Sequence, residues 1–150
     1  MTGVWKPTVT VAAVMERAGR FCLVEEEADG RLVYNQPAGH WEPGESLVAA
    51  CEREVLEETA HRFRPTALVG IYRWLNAAAD VTFLRFAFTG EVLGEEPGRA
   101  LDREIRRVLW LGPDEIRAAA DRHRTPLVMA CIADFLAGRR YPLELLHHLP

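Results

Sequence analysis

The chain has 150 residues, of which 49% are hydrophobic, and a formal net charge of -4. A chain of this length usually forms one domain with a sizeable core, so we predict a single domain over residues 1–150. The negative balance provides no overall basic field for a phosphate backbone, which disfavours general nucleic-acid binding. Lys6 is the only lysine and no Gly-x-x-x-x-Gly-Lys-Ser/Thr stretch occurs, which excludes a P-loop.

The cysteines and the hydropathy pattern bear on the compartment. The three cysteines are far apart and form no Cys-x-x-Cys pair, which is typical of reduced thiols and disfavours structural zinc. No apolar run precedes a cleavage site, and no stretch of the roughly 18 apolar residues that span a membrane is present. We expect a cytoplasmic protein without a membrane partner, and the sequence leaves its oligomeric state open.

The first elements predicted along the chain are strands. Thr8–Val14 alternates β-branched and small residues, and residues 20–26 are expected to be its hairpin partner after a turn at Ala18-Gly19. Asp29-Gly30 predicts another turn. Residues 35–43 are punctuated by two prolines and a glycine. Ser46 is of the type that caps a helix, and we predict a helix from there to about Thr59.

The second half mixes strands and helices. The predicted elements are an antiparallel pair at 67–76 and 81–92, a polar loop at 94–103, a strand at Ile105–Leu111, and helices that open at Pro113 and at Thr125-Pro126, the last running to about Ala137. Strands interleaved with one early helix and two late ones predict an α/β fold, with helices on both faces of a mixed sheet.

The early helix carries an acidic arc. Glu54, Glu57 and Glu58 are spaced i, i+3 and i+4, so they lie within about 100° of one another around the helix. The neighbouring apolar stripe, which is expected to face the core, consists of Val48, Cys51 and Val55. Like charges at these spacings repel unless a cation neutralises them, and Mg²⁺ and Mn²⁺ prefer carboxylate and phosphate oxygens. A solvated helix face is the alternative interpretation.

Residues 39–61, GHWEPGESLVAACEREVLEETAH, resemble the Nudix box of hydrolases that act on nucleoside diphosphates linked to another moiety. The positions that match in register are Gly39, Glu45, Arg53, Glu54, Val55, Glu57 and Glu58. Ala60 stands where the family has glycine, and His61 where it has an aliphatic residue. Glycine would suit a left-handed residue at the helix end, and alanine in that conformation costs roughly 1 kcal/mol. Both departures leave every reacting group in place.

The resemblance extends beyond the box. From Thr8 to about Leu146 the chain is similar to the NudJ phosphatase subfamily. Its most specific segments are residues 35–40 (NQPAGH), 83–86 (FLRF) and 140–144 (RYPLE). The resemblance implies the Nudix α/β/α sandwich. It also implies Mg²⁺-dependent hydrolysis, with Mn²⁺ as an alternative, of nucleoside tri- and diphosphates or of hydroxymethylpyrimidine diphosphate.

The resemblance further implies roles for individual residues. The expected metal site consists of the Gly39 carbonyl, Glu54, Glu57 and Glu58, of which Glu54 and Glu57 are also expected to be catalytic. Glu54 is either a further ligand or the group that orients the attacking water. Glu45 and Arg53 are expected to form an internal ion pair between the loop and the helix.

Further candidates lie outside the box. Many relatives have another acidic residue before the late strand, and Glu104 is the candidate for that metal ligand or base. The alternatives on the same predicted loop are Asp102, Glu95 and Glu96, and a solvated loop charge is an equally good interpretation of each. Arg73 and Arg85 interrupt apolar strands and are candidate phosphate contacts, although an ion pair or exposure at a sheet edge is the alternative for each. Trp41 and Trp74 are candidates for stacking on a base or pyrimidine ring, although core or lid packing is the alternative.

Two other functions stay open at the level of sequence. One is a Nudix-fold module that binds a nucleotide without cleaving it, which the presence of all four box glutamates disfavours. The other is a pyrophosphohydrolase of different specificity, acting on oxidised nucleotides or dinucleotides. Inorganic phosphate, pyrophosphate and mononucleotides are distinct products, so product analysis separates these activities.

Overall fold

Residues 3–150, which a computed structural model describes, form nine strands and three α-helices; residues 1 and 2 of the predicted domain lie outside them. The strands are β1 (Thr8–Val14), β2 (Glu16–Arg17), β3 (Arg20–Ala28), β4 (Arg31–Asn35), β5 (Ala38–His40), β6 (His61–Asn76), β7 (Val81–Glu95), β8 (Ile105–Leu111) and β9 (Tyr141–Pro142). The helices are α1 (Leu47–Thr59), α2 (Pro113–Ala118) and α3 (Leu127–Leu136), with 3-10 turns at Ala120–Arg122 and Leu143–Leu145.

The strands form two sheets. The first has the order β5-β1-β7-β6-β9; β1 and β7 run parallel and the other neighbours antiparallel, so this sheet is mixed. The second is antiparallel and joins β2, β4 and β8 to β3. The predicted mixed sheet is confirmed, whereas the separate second sheet was not predicted.

Two adjacent residues of β1 show how the layers are built, because successive side chains of a strand point to opposite faces. Ala13 packs in the core cluster beneath α1 together with Val55. Val14 packs in a second cluster with Ile116 of α2 and Val128 of α3. The first sheet therefore lies between α1 on one face and α2 with α3 on the other, which confirms the α/β/α sandwich.

The three cysteines are free and buried. Burial raises the pKa of the Cys22 thiol to about 12 and also raises that of Cys131, so both are protonated and poor nucleophiles at neutral pH. Within residues 3–150, no helix combines the length and the apolar character needed to cross a membrane.

The pairing predicted for the first strand is wrong. The sequence predicts a hairpin between Thr8–Val14 and residues 20–26, but β1 lies between β5 and β7. The turn at Ala18-Gly19 instead joins the two-residue strand β2 to β3 in the second sheet. Alternation of side chains identifies a strand but not its partner, and here the partners come from distant parts of the chain.

Several boundaries also differ from the prediction. Strands β4 and β5 were not predicted: no element was assigned to residues 31–34, and β5 lies within the segment with two prolines and a glycine. A three-residue strand such as β5 is too short to carry a periodic pattern. Strand β6 begins at His61 rather than Ala67, and β7 continues to Glu95, through the start of the predicted polar loop. The bounds predicted for β8 and the end predicted for α1 are confirmed.

Candidate active site

Helix α1 brings the acidic residues to the border of the core. It begins after Ser46, whose hydroxyl oxygen accepts a hydrogen bond from the Ala49 backbone N–H at 3.0 Å. Its buried side, which includes Cys51 and Val55, packs against the first sheet. The acidic arc lies beside this apolar side and lines an open cleft together with β5 and the loop between β7 and β8. We call it the carboxylate cleft.

Three carboxylates converge in the carboxylate cleft. Glu54, Glu57 and Asp102 each offer one oxygen, and these oxygens lie within 4.8 Å of one another. Asp102 is fixed to the helix by its backbone N–H, which donates to the Glu57 carbonyl at 2.9 Å. Such a group of carboxylate oxygens suits a hard divalent cation. Glu104 lines the same cleft.

Burial and like charge act together on these acids. Burial raises the pKa of Glu54, with Glu57 and Asp102 adding to the effect. The pKa of Asp102 is also raised, mainly by burial and to a smaller extent by the negative charges of Glu57 and Glu104. The ionised forms of Glu54 and Asp102 are therefore less favoured than those of free carboxylic acids, and a bound cation would relieve the repulsion.

Glu58 occupies the wall of the carboxylate cleft. It is 7% exposed, and its carboxylate accepts a hydrogen bond from the Ala38 backbone N–H at 2.8 Å. Burial, with the nearby charges of Glu26 and Glu54, raises its pKa to about 9. Glu58 thus ties α1 to β5, and it is not one of the three acids whose oxygens converge most closely.

Arg53 connects the loop before α1 to the cleft. Its Nη2 and Nε donate to the two carboxylate oxygens of Glu45 at 2.7 and 3.0 Å, and its Nη1 donates to Glu54 at 2.7 Å. Nη2 also donates to the His40 carbonyl at 2.9 Å. The guanidinium lowers the pKa of Glu45 and orients the Glu54 carboxylate. The loop, the helix and β5 therefore meet at one side chain.

A second compartment adjoins the carboxylate cleft, and Ala38, Gly39, His40 and Arg124 line both. Trp74 and Phe83 form part of its wall as a stacked pair, with ring centroids 6.0 Å apart and planes inclined by 18°. An aromatic wall of this kind suits a flat ring. We call it the ring compartment.

Arg85 gives the ring compartment a buried positive charge. It is 4% exposed; its Nη1 donates to the Gln36 side-chain oxygen at 2.9 Å and its Nη2 to that of Asn35 at 3.1 Å. Its Nε has no partner within residues 3–150. Neutral amides rather than carboxylates hold this guanidinium, and a buried charge without a counter-charge is costly. The compartment therefore suits a group that accepts hydrogen bonds or carries negative charge.

Several candidates from the sequence lie away from both spaces: Trp41, Arg73, Glu95 and Glu96. Arg73 is exposed and precedes Trp74 in β6, so its side chain stands on the opposite face of the sheet. Trp41 lines a separate groove. The Glu96 backbone N–H donates to the Ala60 carbonyl at 2.8 Å, beyond the end of α1. The structure brings none of the four to the converging carboxylates.

The residues of these spaces to which the sequence analysis assigned no role include Glu26, Arg124 and Asn35. Arg124 directly precedes Thr125-Pro126, which was interpreted only as a helix start. Glu26 lies in a run of acidic residues on a strand. Such a run is typical of a solvated face, but Glu26 is only 4% exposed. The available signal was the polar Asn-Gln pair at residues 35–36, since polar side chains following a buried strand often belong to a site.

The chain is similar to known proteins of one family. The NUDIX domain family model matches residues 5–130. Over 143 residues, covering 95% of this chain and 92% of the relative, the chain is 41% identical to Phosphatase NudJ of Escherichia coli K12, and equally so to its Shigella flexneri counterpart. A solved structure, a NUDIX hydrolase from Nitrosomonas europaea, superposes with a TM-score of 0.94 at 54% identity, over 96% of this chain and 98% of that one.

The family model spans most of the chain, and the similarity to the phosphatase NudJ covers nearly its full length. The predicted resemblance is therefore confirmed, and the chain belongs to the Nudix hydrolase family, whose members cleave phosphoanhydride bonds.

Proposed function

We propose that this hydrolase uses Mg²⁺, with Mn²⁺ as an alternative, to release phosphate from nucleoside tri- or diphosphates or from a small organic diphosphate such as hydroxymethylpyrimidine diphosphate. The observation that carries the proposal is the convergence of Glu54, Glu57 and Asp102 within 4.8 Å, next to a compartment with an aromatic wall. The single domain over residues 1–150 and the cytoplasmic location stay predictions.

Glu54, Glu57 and Asp102 would hold the cation, together with the Gly39 carbonyl and the nearby Glu58. When bound, the cation would neutralise phosphate charge and make a coordinated water more acidic. The residues fit this role because their oxygens are close together and partly buried, and because a β-carbon at residue 39 would collide with Glu54. Asp102 is included among these residues because its carboxylate oxygen lies within 4.8 Å of those of the two glutamates.

Hydrolysis needs a water oriented towards phosphorus, and Glu104 is the proposed base, because it lines the cleft without belonging to the converging group. The water oxygen forms a bond to the phosphorus under attack, and one of its protons passes to the Glu104 carboxylate. The bond from that phosphorus to the bridging oxygen breaks, and its electron pair stays on the bridging oxygen. Glu54, held by Arg53, would orient the water.

The ring compartment would take the organic part of the substrate. The indole of Trp74 presents an aromatic face, and the buried Arg85 offers a positive charge to a hydrogen-bond acceptor or a phosphate oxygen. Trp41 and Arg73 lie outside this compartment, so we assign them no contact with a substrate of this size.

The first test measures phosphate and pyrophosphate release from ADP, ATP, CDP and hydroxymethylpyrimidine diphosphate, with and without Mg²⁺. We expect Mg²⁺-dependent phosphate release that Glu57→Gln abolishes. Glu52→Gln is the matched control, because Glu52 is an exposed glutamate on the same helix. Pyrophosphate as the main product would replace the phosphatase assignment with that of a pyrophosphohydrolase, and nucleotide binding without turnover would indicate a sensor.

Substitution separates the two acids of the β7–β8 loop. If Glu104 is the base and Asp102 a ligand, Glu104→Gln should lower kcat by about 100-fold or more while leaving the Mg²⁺ dissociation constant nearly unchanged. Asp102→Asn should weaken Mg²⁺ binding. A loss of less than about threefold in Glu104→Gln would remove Glu104 from the mechanism.

A further inference from the structure

Arg124 stands where the carboxylate cleft and the ring compartment meet, because its side chain lines both. The residue follows the 3-10 turn Ala120–Arg122, and its backbone N–H donates to the Tyr34 carbonyl at 2.8 Å. This hydrogen bond anchors the segment to β4. The backbone position of Arg124 is therefore set by the second sheet, although its side chain reaches towards the acids of α1.

A buried carboxylate holds the Arg124 guanidinium. Glu26, which is 4% exposed, accepts a hydrogen bond from Nη1 at 2.5 Å. The other two guanidinium nitrogens make no hydrogen bond within residues 3–150, and 47% of the side chain is exposed. A guanidinium that is tied through one nitrogen and open at the other two can bind a pair of phosphate oxygens.

We propose that Arg124 binds the phosphate that remains on the organic group when the substrate is cleaved. The inference rests on the proposed function. A substrate with its ring beside Trp74 and the phosphorus under attack beside Glu57 must pass the junction that Arg124 lines. The part of the substrate at that junction is the phosphate attached to the organic group.

The chemistry of cleavage explains why a positive charge is useful there. As the bond from the attacked phosphorus to the bridging oxygen breaks, its electron pair stays on the phosphate that leaves with the organic group. Negative charge therefore grows next to Arg124, and a guanidinium already oriented by Glu26 binds the transition state more tightly than the ground state. Glu26 is accordingly a positioning residue.

Arg122 provides a matched control from the same segment. Its Nη2 donates to the buried carboxylate of Glu25 at 2.8 Å, so it has the same kind of partner as Arg124. It lines neither the carboxylate cleft nor the ring compartment. Arg122→Gln therefore removes one Arg–Glu pair from this segment without removing a group from the site.

The test compares Arg124→Gln, Arg124→Lys and Arg122→Gln with the unsubstituted protein. With ADP and CDP as substrates, Arg124→Gln should lower kcat/KM on the order of 100-fold, and Arg124→Lys should recover part of that loss. Arg122→Gln should stay within about threefold of the unsubstituted protein. The Mg²⁺ dissociation constant, followed by tryptophan fluorescence, should be the same in every variant.

Binding of the monophosphate products gives a readout that needs no turnover. Calorimetry with AMP and CMP should show affinity about tenfold weaker in Arg124→Gln, and no change for inorganic phosphate. Equal losses of kcat/KM in Arg124→Gln and Arg122→Gln, or unchanged AMP and CMP affinity in Arg124→Gln, would overturn the inference. Absence of hydrolysis in the unsubstituted protein, with AMP binding that depends on Arg124, would overturn the proposed function and leave the phosphate contact standing.

Discussion

The carboxyl carbon of Glu54 lies 2.1 Å from the point where a β-carbon on residue 39 would stand, and both carboxylate oxygens lie within 2.3 Å of that point. Gly39 has no side chain, so β5 can pass directly against the acidic arc of α1. Its φ is not positive, so this close approach, rather than an unusual backbone conformation, requires glycine. The family's first box residue thus makes room for a carboxylate.

Gly39→Ala should displace the Glu54 carboxylate from Glu57 and Asp102. Because the displaced atoms end a flexible side chain, we expect the protein to stay folded with a Tm lowered by only a few degrees. The Mn²⁺ dissociation constant, measured by calorimetry, should rise about tenfold or more. Gly112→Ala is the control, since a β-carbon there would meet nothing closer than 3.5 Å. Unchanged Mn²⁺ affinity in Gly39→Ala would contradict the expected crowding.

The buried Glu58 predicts how the stability of the metal-free protein depends on pH. Its pKa is raised from about 4.5 to about 9 by burial, so the fold favours the protonated form. The stability that Glu58 contributes is fully present below about pH 4.5. It is lost progressively as the pH rises from there through about 9. The decline for this one group is at most about 1.4 kcal/mol per pH unit.

Chemical denaturation in EDTA at several pH values between 5 and 9 checks this sign. The unfolding free energy of Glu58→Gln should fall less over this range than that of the unsubstituted protein. Addition of Mg²⁺ should flatten the unsubstituted curve, because a cation favours the ionised carboxylates. Parallel curves for the two proteins in EDTA would show that Glu58 is ionised in the metal-free fold.

Local sequence patterns correctly predicted the features of α1 that depend only on residues close together in the chain. The i, i+3, i+4 spacing of Glu54, Glu57 and Glu58 places them together on one helix regardless of the rest of the fold. The cap at Ser46 and the end of α1 at Thr59 follow from the chemistry of a few neighbouring residues. These elements match the structure because no long-range contact was needed to define them.

Long-range contacts account for what local patterns could not predict. The family resemblance offered Asp102 only as an alternative to Glu104, and its position beside Glu54 and Glu57 arises because β6 and β7 form a long hairpin that returns the chain to the end of α1. Arg124 reaches the site because its segment packs against β4, a strand that was not predicted. Neither contact has a periodic or spacing signal, because each depends on how the two sheets are arranged.

Ala60, which departs from the box, is in the left-handed conformation that the family's glycine would favour, with φ 59° and ψ 16°. We expect Ala60→Gly to relieve about 1–2 kcal/mol of backbone strain, offset by about 0.4–1 kcal/mol because glycine makes the unfolded chain more flexible. The net gain of about 0–1.6 kcal/mol, with a midpoint of about 0.8 kcal/mol, should raise Tm by a few degrees in a thermal scan. A lower Tm would mean that the buried methyl group contributes more than the strain.

Arg85 and Arg73 were equivalent candidates in the sequence, and the structure separates them. Arg85 is buried in the ring compartment, whereas Arg73 is exposed on the other face of the sheet. We expect Arg85→Gln to raise KM for ADP and CDP at least about tenfold with a smaller change in kcat, because it removes a charge that meets the substrate in ground and transition states alike. Arg73→Gln should leave KM within about twofold.

Stability measurements show whether the Arg85 effect arises in the site. Substitution leaves the Asn35 and Gln36 side-chain oxygens without their donor, which should destabilise the fold by about 1–3 kcal/mol. A protein that is stable by several kcal/mol stays folded after such a loss, so the KM change can be read at a temperature well below the new Tm. If kcat and the folded fraction fell while KM stayed unchanged, the role of Arg85 would instead be to stabilise the fold.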